Sequence, residues 1–190
     1  MRDEEGDPQL MQAIAGRDEA AFEQLVRRHG PRLLRYCERF SPGGTAAEDA
    51  VQETLAAVWE NAAQWRGGAS ARAWLWSIAR HALQRDRRKK SGEPTELEPL
   101  DTLAVEAGWG EAGAQRSLEA AVADREQAQR ALGALDSGGR EVVWLVDGEG
   151  FSIEEAAEAL GSSTAAIKSR LHRARLRFVA ALRKEAADAG

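Results

Sequence analysis

Three stretches of the 190-residue chain carry side chains that could do chemistry. The first is AAIKSRLHRARLRF at 165–178. There Lys168, Arg170, Arg173, Arg175 and Arg177, with His172, are threaded between Ile167, Leu171, Leu176 and Phe178. No acid occurs from Ala159 to Lys184, so this stretch would attract a polyanion. The second, WRGGASARAWLWSIARHALQRDRRKK at 65–90, sets Trp65, Trp74 and Trp76 beside a glycine loop and a basic tail. Aromatic faces stack unpaired bases, a basic groove follows phosphates, and a glycine loop can admit a flipped base. The third is AAEDAVQETLAAVW at 46–59, where Glu48, Asp49, Gln52 and Glu53 form a polar strip. Carboxylates so spaced could hold a hard cation or act as an acid/base pair. No histidine or further carboxylate cluster stands nearby to complete such a site, so the strip reads as a solvated or protein-docking face.

Catalysis finds no support in these residues. His29, His81 and His172 are scattered, and no HExxH, nucleophile motif or phosphate loop is present. No cofactor or metal is implied, and the chain reads as a non-enzyme. Cys37, the only cysteine, sits among apolar residues in LLRYCERF and reads as a buried, inert thiol. There is no apolar run of membrane-spanning length and no signal peptide behind MRDEEGD, which points to the cytoplasm without membrane insertion.

The elements that must hold these residues are helices. Ala, Leu, Glu, Arg and Gln are abundant, alternating β-branched segments are absent, and the expected fold class is all-α. The net charge of −5 hides a segregation along the chain. Residues 61–92 hold eight Lys or Arg and only Asp86 as an acid; residues 93–126 hold nine acids against Arg116 and Arg125. The acidic, Pro- and Gly-containing segment reads as a flexible linker over 92–124, between small helical domains at 9–91 and 125–185.

Breakers divide the first domain. A short helix precedes one starting near Asp18, whose apolar face is Ala21, Phe22, Leu25 and Val26, and Gly30-Pro31 interrupts or restarts it. Thr45 and Glu48 form a capping box for a helix burying Val51, Leu55, Val58 and Trp59. A last helix spans about 71–89, with Trp74 and Trp76 as core residues and Trp65 as the better stacking candidate. In the second domain a helix near 118–135 is followed by DSGG and a helix at 140–147. Ser152 and Glu155 make another capping box, Gly161 closes that helix, and Thr164 can cap the next. Two helices joined by a short Gly turn form a helix-turn-helix. Ile167, Leu171, Ala174 and Phe178 share one face of its second helix and are expected against Ala156, Ala157 and Leu160. That leaves Thr164, Ala165, Lys168, Ser169 and His172 for base edges, and Arg170, Arg173, Arg175 and Arg177 for phosphates.

These motifs together resemble the extracytoplasmic-function (ECF, group IV) class of bacterial RNA polymerase sigma factors. AFEQLVRRHGPRLLRYCERF with AEDAVQETLAAVWENAAQW resembles their first domain, and the tryptophan-flanked loop and helix their minus-ten reader. ALGALDSGGREVVWLVDGEGFSIEEAAEALGSSTAAIKSRLHRARLRF resembles their minus-35 reader, with KSRLHRAR especially specific. The resemblance implies core polymerase, promoter DNA and an anti-sigma factor as partners. It implies that Glu48, Asp49, Gln52, Glu53 and Trp59 dock the polymerase clamp. It also implies that the loop of Trp65, Arg66, Gly67, Gly68 and Ser70 captures an extruded base, with Arg72, Arg80 and His81 nearby. The acidic linker occupies the place where the family's connector threads towards the RNA exit channel. The sequence departs from the family pattern at His81, Arg85 and Trp65, in LDSGGRE, which lacks the usual Leu-Pro, and in STAAIKSR, which lacks the common Gly-Thr. A stand-alone helix-turn-helix regulator and a sigma-like decoy for an anti-sigma factor are the alternatives. The aromatic, basic first domain argues against the former, and the retained basic residues against the latter.

Overall fold

The computed structural model describes residues 6–41, 43, 45–67, 70–91 and 125–188, without the side chains of 88–91, 125–127 and 185–188. The expected linker at 92–124, the acidic residues of the N-terminus before Gly6, and Gly68 lie outside the described residues. Every described element is helical, in two compact units.

The described residues of the first unit form four α-helices and a 3₁₀ turn. α1 (Asp7–Ala15) opens with a proline in its first turn, where a missing N–H costs nothing. Arg17, in the left-handed region at φ 66°, turns the chain, and Asp18 caps α2 (Glu19–Phe40) by accepting from the Ala21 N–H at 3.0 Å. α2 runs unbroken through Pro31, against the expected interruption. An interior proline costs about 3 kcal/mol. Burial of Leu25, His29, Leu33, Tyr36, Cys37 and Phe40 on both sides of it offsets that, and the ring itself points to solvent. Arg87 of the last helix also donates to the Phe40 carbonyl at 2.6 Å, satisfying an orphan acceptor at the α2 C-terminus.

α3 (Ala46–Asn61) departs from expectation twice. Thr45 is itself in the right-handed helical region, makes no side-chain cap, and donates its hydroxyl to Asp49 at 3.1 Å, so the capping box with Glu48 does not form. The buried stripe is Ala46, Ala47, Ala50, Thr54 and Val58, while Val51, Leu55 and Trp59 are half-buried. α3 packs between α2 and α4, and small residues are what let a helix approach two neighbours at once. After a 3₁₀ turn (Ala62–Gln64), Ser70 accepts from the Ala73 N–H at 3.2 Å and starts α4 (Ala71–Ser91). Trp76 is 1% exposed and meets His29 and Tyr36 at ring distances of 6.2 and 6.3 Å; Trp74 is only half-buried.

The second unit begins with α5 (Arg125–Gly133), then α6 (Ser137–Val143), whose N-cap Asp136 accepts from Gly139 N–H at 2.7 Å. A π turn (Trp144–Gly148) continues α6 where the sequence suggested one regular helix to Asp147. Ser152 and Glu155 form the expected reciprocal capping box, at 2.9 and 3.1 Å, on α7 (Ile153–Ala159). Gly161, at φ 60°, turns the chain towards α8 (Thr164–Asp188). Ser163 rather than Thr164 caps α8, accepting from Ala166 N–H at 3.2 Å, because Thr164 already has helical backbone.

Candidate promoter- and polymerase-facing surfaces

α8 buries Ala166, Ile167, Leu171, Ala174 and Phe178, a single face at helical spacing. It packs on α5 and α6. The close approach is at Gly139 of α6, where an added Cβ would stand 3.3 Å from the Ala174 Cβ. Thr164, Ala165, Lys168 and Arg173 are exposed, and Ser169, Arg170 and His172 half-buried. Arg173 donates to Ser169 Oγ at 2.7 Å, on the helix's own surface.

Three arginines of α8 are drawn back towards the scaffold. The Arg170 guanidinium lies over Gly138, whose missing Cβ would otherwise sit 3.2 Å from Nη1. Arg177 donates to Asp136 at 2.7 Å. The Asp136 carboxyl is held below its usual value, first by the Gly139 N–H, against some desolvation, and then by Arg177 and Arg170. Arg175, which the sequence places among the DNA-facing residues, forms a two-point ion pair with Asp147 at 3.2 and 2.6 Å. Nothing local announces that partner, which lies 28 positions away.

In the first unit, α1, the 3₁₀ turn and the following loop enclose a cleft of about 590 Å³. Met11 and Gln12 line one side, and Trp65, Arg66, Gly67 and Ser70 the other. Arg66 and Gly67 are exposed, and Gly67 adopts φ 73°, which a side chain would resist. The Trp65 ring is half-buried, with its indole N–H shielded and no acceptor within hydrogen-bond reach among the described residues. Arg80 is half-buried and His81 exposed. Arg72 is only 4% exposed, so it lies within the fold rather than on its surface. The share of α1 in this cleft carried no sequence signal beyond an ordinary amphipathic helix. α1 is held by Asp7, 2% exposed, which accepts from Arg28 Nη1 at 2.5 Å and pairs with His29 Nε2 at 2.8 Å.

On α3, Glu48, Asp49, Gln52 and Glu53 are all exposed along one strip. Glu53 pairs with Arg85 of α4. Trp59, near the C-terminal end of the same helix, is edge-on to Phe22 at 5.2 Å and under the Arg17 guanidinium at 5.4 Å. Arg17 also donates to the Trp59 carbonyl at 3.0 Å, so this ring is fixed by the α1–α2 turn. Cys37 is buried, and its thiol is pushed up to about 12 by desolvation and then by Glu38. Among the described residues, no three His, Cys, Asp or Glu side chains stand together as a metal site. No described helix is long and apolar enough to cross a membrane.

Comparison with known proteins matches Sigma-70 region 2 over residues 25–93 and Sigma-70 region 4 over 125–178. The ECF RNA polymerase sigma factor SigM of Mycobacterium tuberculosis is 35% identical, over 93% of this chain and 85% of its own. CnrH of Cupriavidus metallidurans is 34% identical, over 96% and 97%. Among solved structures, CnrH in complex with the cytosolic domain of CnrY is 30% identical with a TM-score of 0.66, over 95% of this chain and 99% of that one. RpoE with the anti-sigma factor NepR from Bartonella quintana is 29% identical with a TM-score of 0.59, over 85% and 96%. The region 2 match contains the acidic strip and the tryptophan loop, the region 4 match contains the basic helix, and the chain belongs to the extracytoplasmic-function class of RNA polymerase sigma factors.

Proposed function

We propose that residues 9–91, extended by α1 from Asp7, bind core polymerase and the minus-ten element, that 125–185 read the minus-35 element, and that 92–124 connect them. In this reading Thr164, Ala165, Lys168, Ser169 and His172 meet base edges in the major groove, and Arg170 and Arg173 meet phosphates. Glu48, Asp49, Gln52 and Glu53 dock the polymerase clamp, with Trp59 buttressing the end of their helix. The acidic linker follows the path towards the RNA exit channel, where its charge complements a basic wall. The protein works in the cytoplasm as a non-enzymatic initiation factor. Because two similar sigma factors are seen with proteins seated on them, a protein anti-sigma factor is the proposed inhibitor here too.

The observation that carries the minus-ten assignment is the cleft beside Trp65, roomy enough for a base and rimmed by Arg66. An unpaired base swung into it would stack on the half-buried indole, an interaction worth about 1–3 kcal/mol. Trp65→Ala is expected to slow strand opening at least tenfold while leaving duplex binding through α8 intact. Permanganate footprinting of the holoenzyme on a melted promoter measures this. Normal opening in that variant would refute the stacking role.

A further inference from the structure

Asp147 and Arg175 form a well-enclosed charge pair in the second unit. The guanidinium donates from Nε to Oδ2 at 3.2 Å and from Nη2 to Oδ1 at 2.6 Å. The two side chains keep 11% and 15% exposure, although Asp147 as a residue is exposed through its backbone. The neighbouring Arg177–Asp136 pair keeps 58% and 61%. A two-point charge pair fixes orientation as well as distance, and partial exclusion of water strengthens it.

Asp147 stands there because of the π turn. Glu149 N–H reaches back to the Trp144 carbonyl at 2.9 Å, and Phe151 N–H to that of Leu145 at 2.9 Å. A widened turn shifts side chains out of α-helical register, and such turns are frequent at functional sites. On α8, Arg175 follows Lys168 by seven residues and Thr164 by eleven. At 3.6 residues per turn Arg175 points within about 20° of each of the other two, which stand about 40° apart. The N-terminal part of that face stands exposed, and its C-terminal part is clamped by Asp147.

We propose that Arg175 is a positioning residue and not a DNA ligand. Its pairing with Asp147 locks the rotation of α8 about its axis and so decides which of Thr164, Ala165, Lys168 and Ser169 face the bases. The proposal rests on the reading of α8 as the minus-35 helix, and it makes the π turn part of the specificity apparatus.

The test is holoenzyme binding to a duplex selected by the wild-type holoenzyme from a randomised pool, against a scrambled duplex, over a salt series. Asp147→Asn is expected to weaken selected-duplex binding about tenfold and narrow the gap to the scrambled duplex, because removing one partner frees the helix. Arg175→Lys is expected to do the same although it keeps the charge, since lysine lacks the fork. Combining both changes is expected to add nothing, and the salt slope to stay at the wild-type value. A phosphate ligand gives the opposite pattern: Asp147→Asn binds as well or tighter, Arg175→Lys is silent, and Arg175→Met lowers the salt slope by about one. That pattern would overturn the proposal. Exchanging the pair, Asp147→Arg with Arg175→Asp, guards against a folding artefact; base discrimination is expected to recover in part, and no recovery in a folded variant counts against it. If the wild-type holoenzyme selects no sequence at all through α8, the minus-35 reading falls first and takes this proposal with it.

Discussion

Asp7 offers a sharp test of how the first unit is held together, because the sequence gives no reason to include it. The domain expected from sequence begins at residue 9, so deleting residues 1–8 should be harmless. In the structure the Asp7 carboxylate spans two residues of α2, Arg28 at 2.5 Å and His29 at 2.8 Å, with a side-chain exposure of 3%. Removing one partner of a buried pair costs about 3–5 kcal/mol. Arg28 retains 21% side-chain exposure and can turn to water, which places Asp7→Ala near the lower end, at about 3 kcal/mol. For a unit of this size each kcal/mol moves the melting temperature by about 4–8 °C. The expected drop is therefore about 12–24 °C in the transition of the first unit, followed by differential scanning calorimetry of the full chain. Detachment of α1 alone would cap the loss, and hydrogen exchange confined to residues 7–15 would reveal it. Either way the wall that Met11 and Gln12 give to the cleft is lost, and capture of a melted minus-ten strand should weaken with stability. Deletion of residues 1–8 should match Asp7→Ala. A melting shift below about 3 °C with unchanged exchange in α1 would refute the reasoning.

Three further outcomes follow from the second unit and the core. Asp136→Ala removes the α6 cap and should cost about 1 kcal/mol in chemical denaturation. The Asp136 carboxyl is lowered in the folded state, so its stabilisation is present above the unfolded pKa and lost as pH falls through the folded one. The stability gap between wild type and variant should accordingly close below about pH 4. Gly139→Val should destabilise by about 1–3 kcal/mol, because the new Cβ would sit 3.1 Å from Asp136 Oδ1 and 3.3 Å from the Ala174 Cβ. Gly138→Ala meets only the far end of Arg170 and should cost under about 0.5 kcal/mol; equal effects on thermal melting would contradict this account. The Cys37 thiol, pushed up to about 12, should ignore a disulfide reagent at pH 8 until denaturant unfolds the chain, and rapid labelling of native protein would show the site to be open.

Much of the helical architecture can be read from local chemistry. The Ser152–Glu155 box, the Asp18 cap and the left-handed Gly161 each act within one turn, so the sequence displays them directly. The apolar face of α8 is legible for the same reason. The errors fall where neighbours decide. Pro31 looked like a break but lies inside a helix stabilised by buried residues on both sides. α3 buries alanines in preference to its larger Val51 and Leu55, because two flanking helices favour small side chains at the closest approach. Trp59, expected in the buried stripe, stays half-buried against Phe22 and Arg17.

The candidate surfaces divide in the same way. Residue types and charge segregation locate the basic helix, the tryptophan loop and the acidic strip, since electrostatic attraction to a polyanion needs only the presence of the charges. They do not reveal which charges are already engaged. Asp147 takes Arg175, Asp136 takes Arg177 and Glu53 takes Arg85 across separations of tens of residues, and Arg72 is enclosed in the core. The sequence by itself determined that this chain is helical, that its positive charge is gathered in two places, and that its motifs are those of a sigma factor. Only the tertiary structure decided that α1 walls the cleft beside Trp65 and which arginines are paired or buried, because ion pairing and burial depend on distances that the order of residues along the chain does not contain.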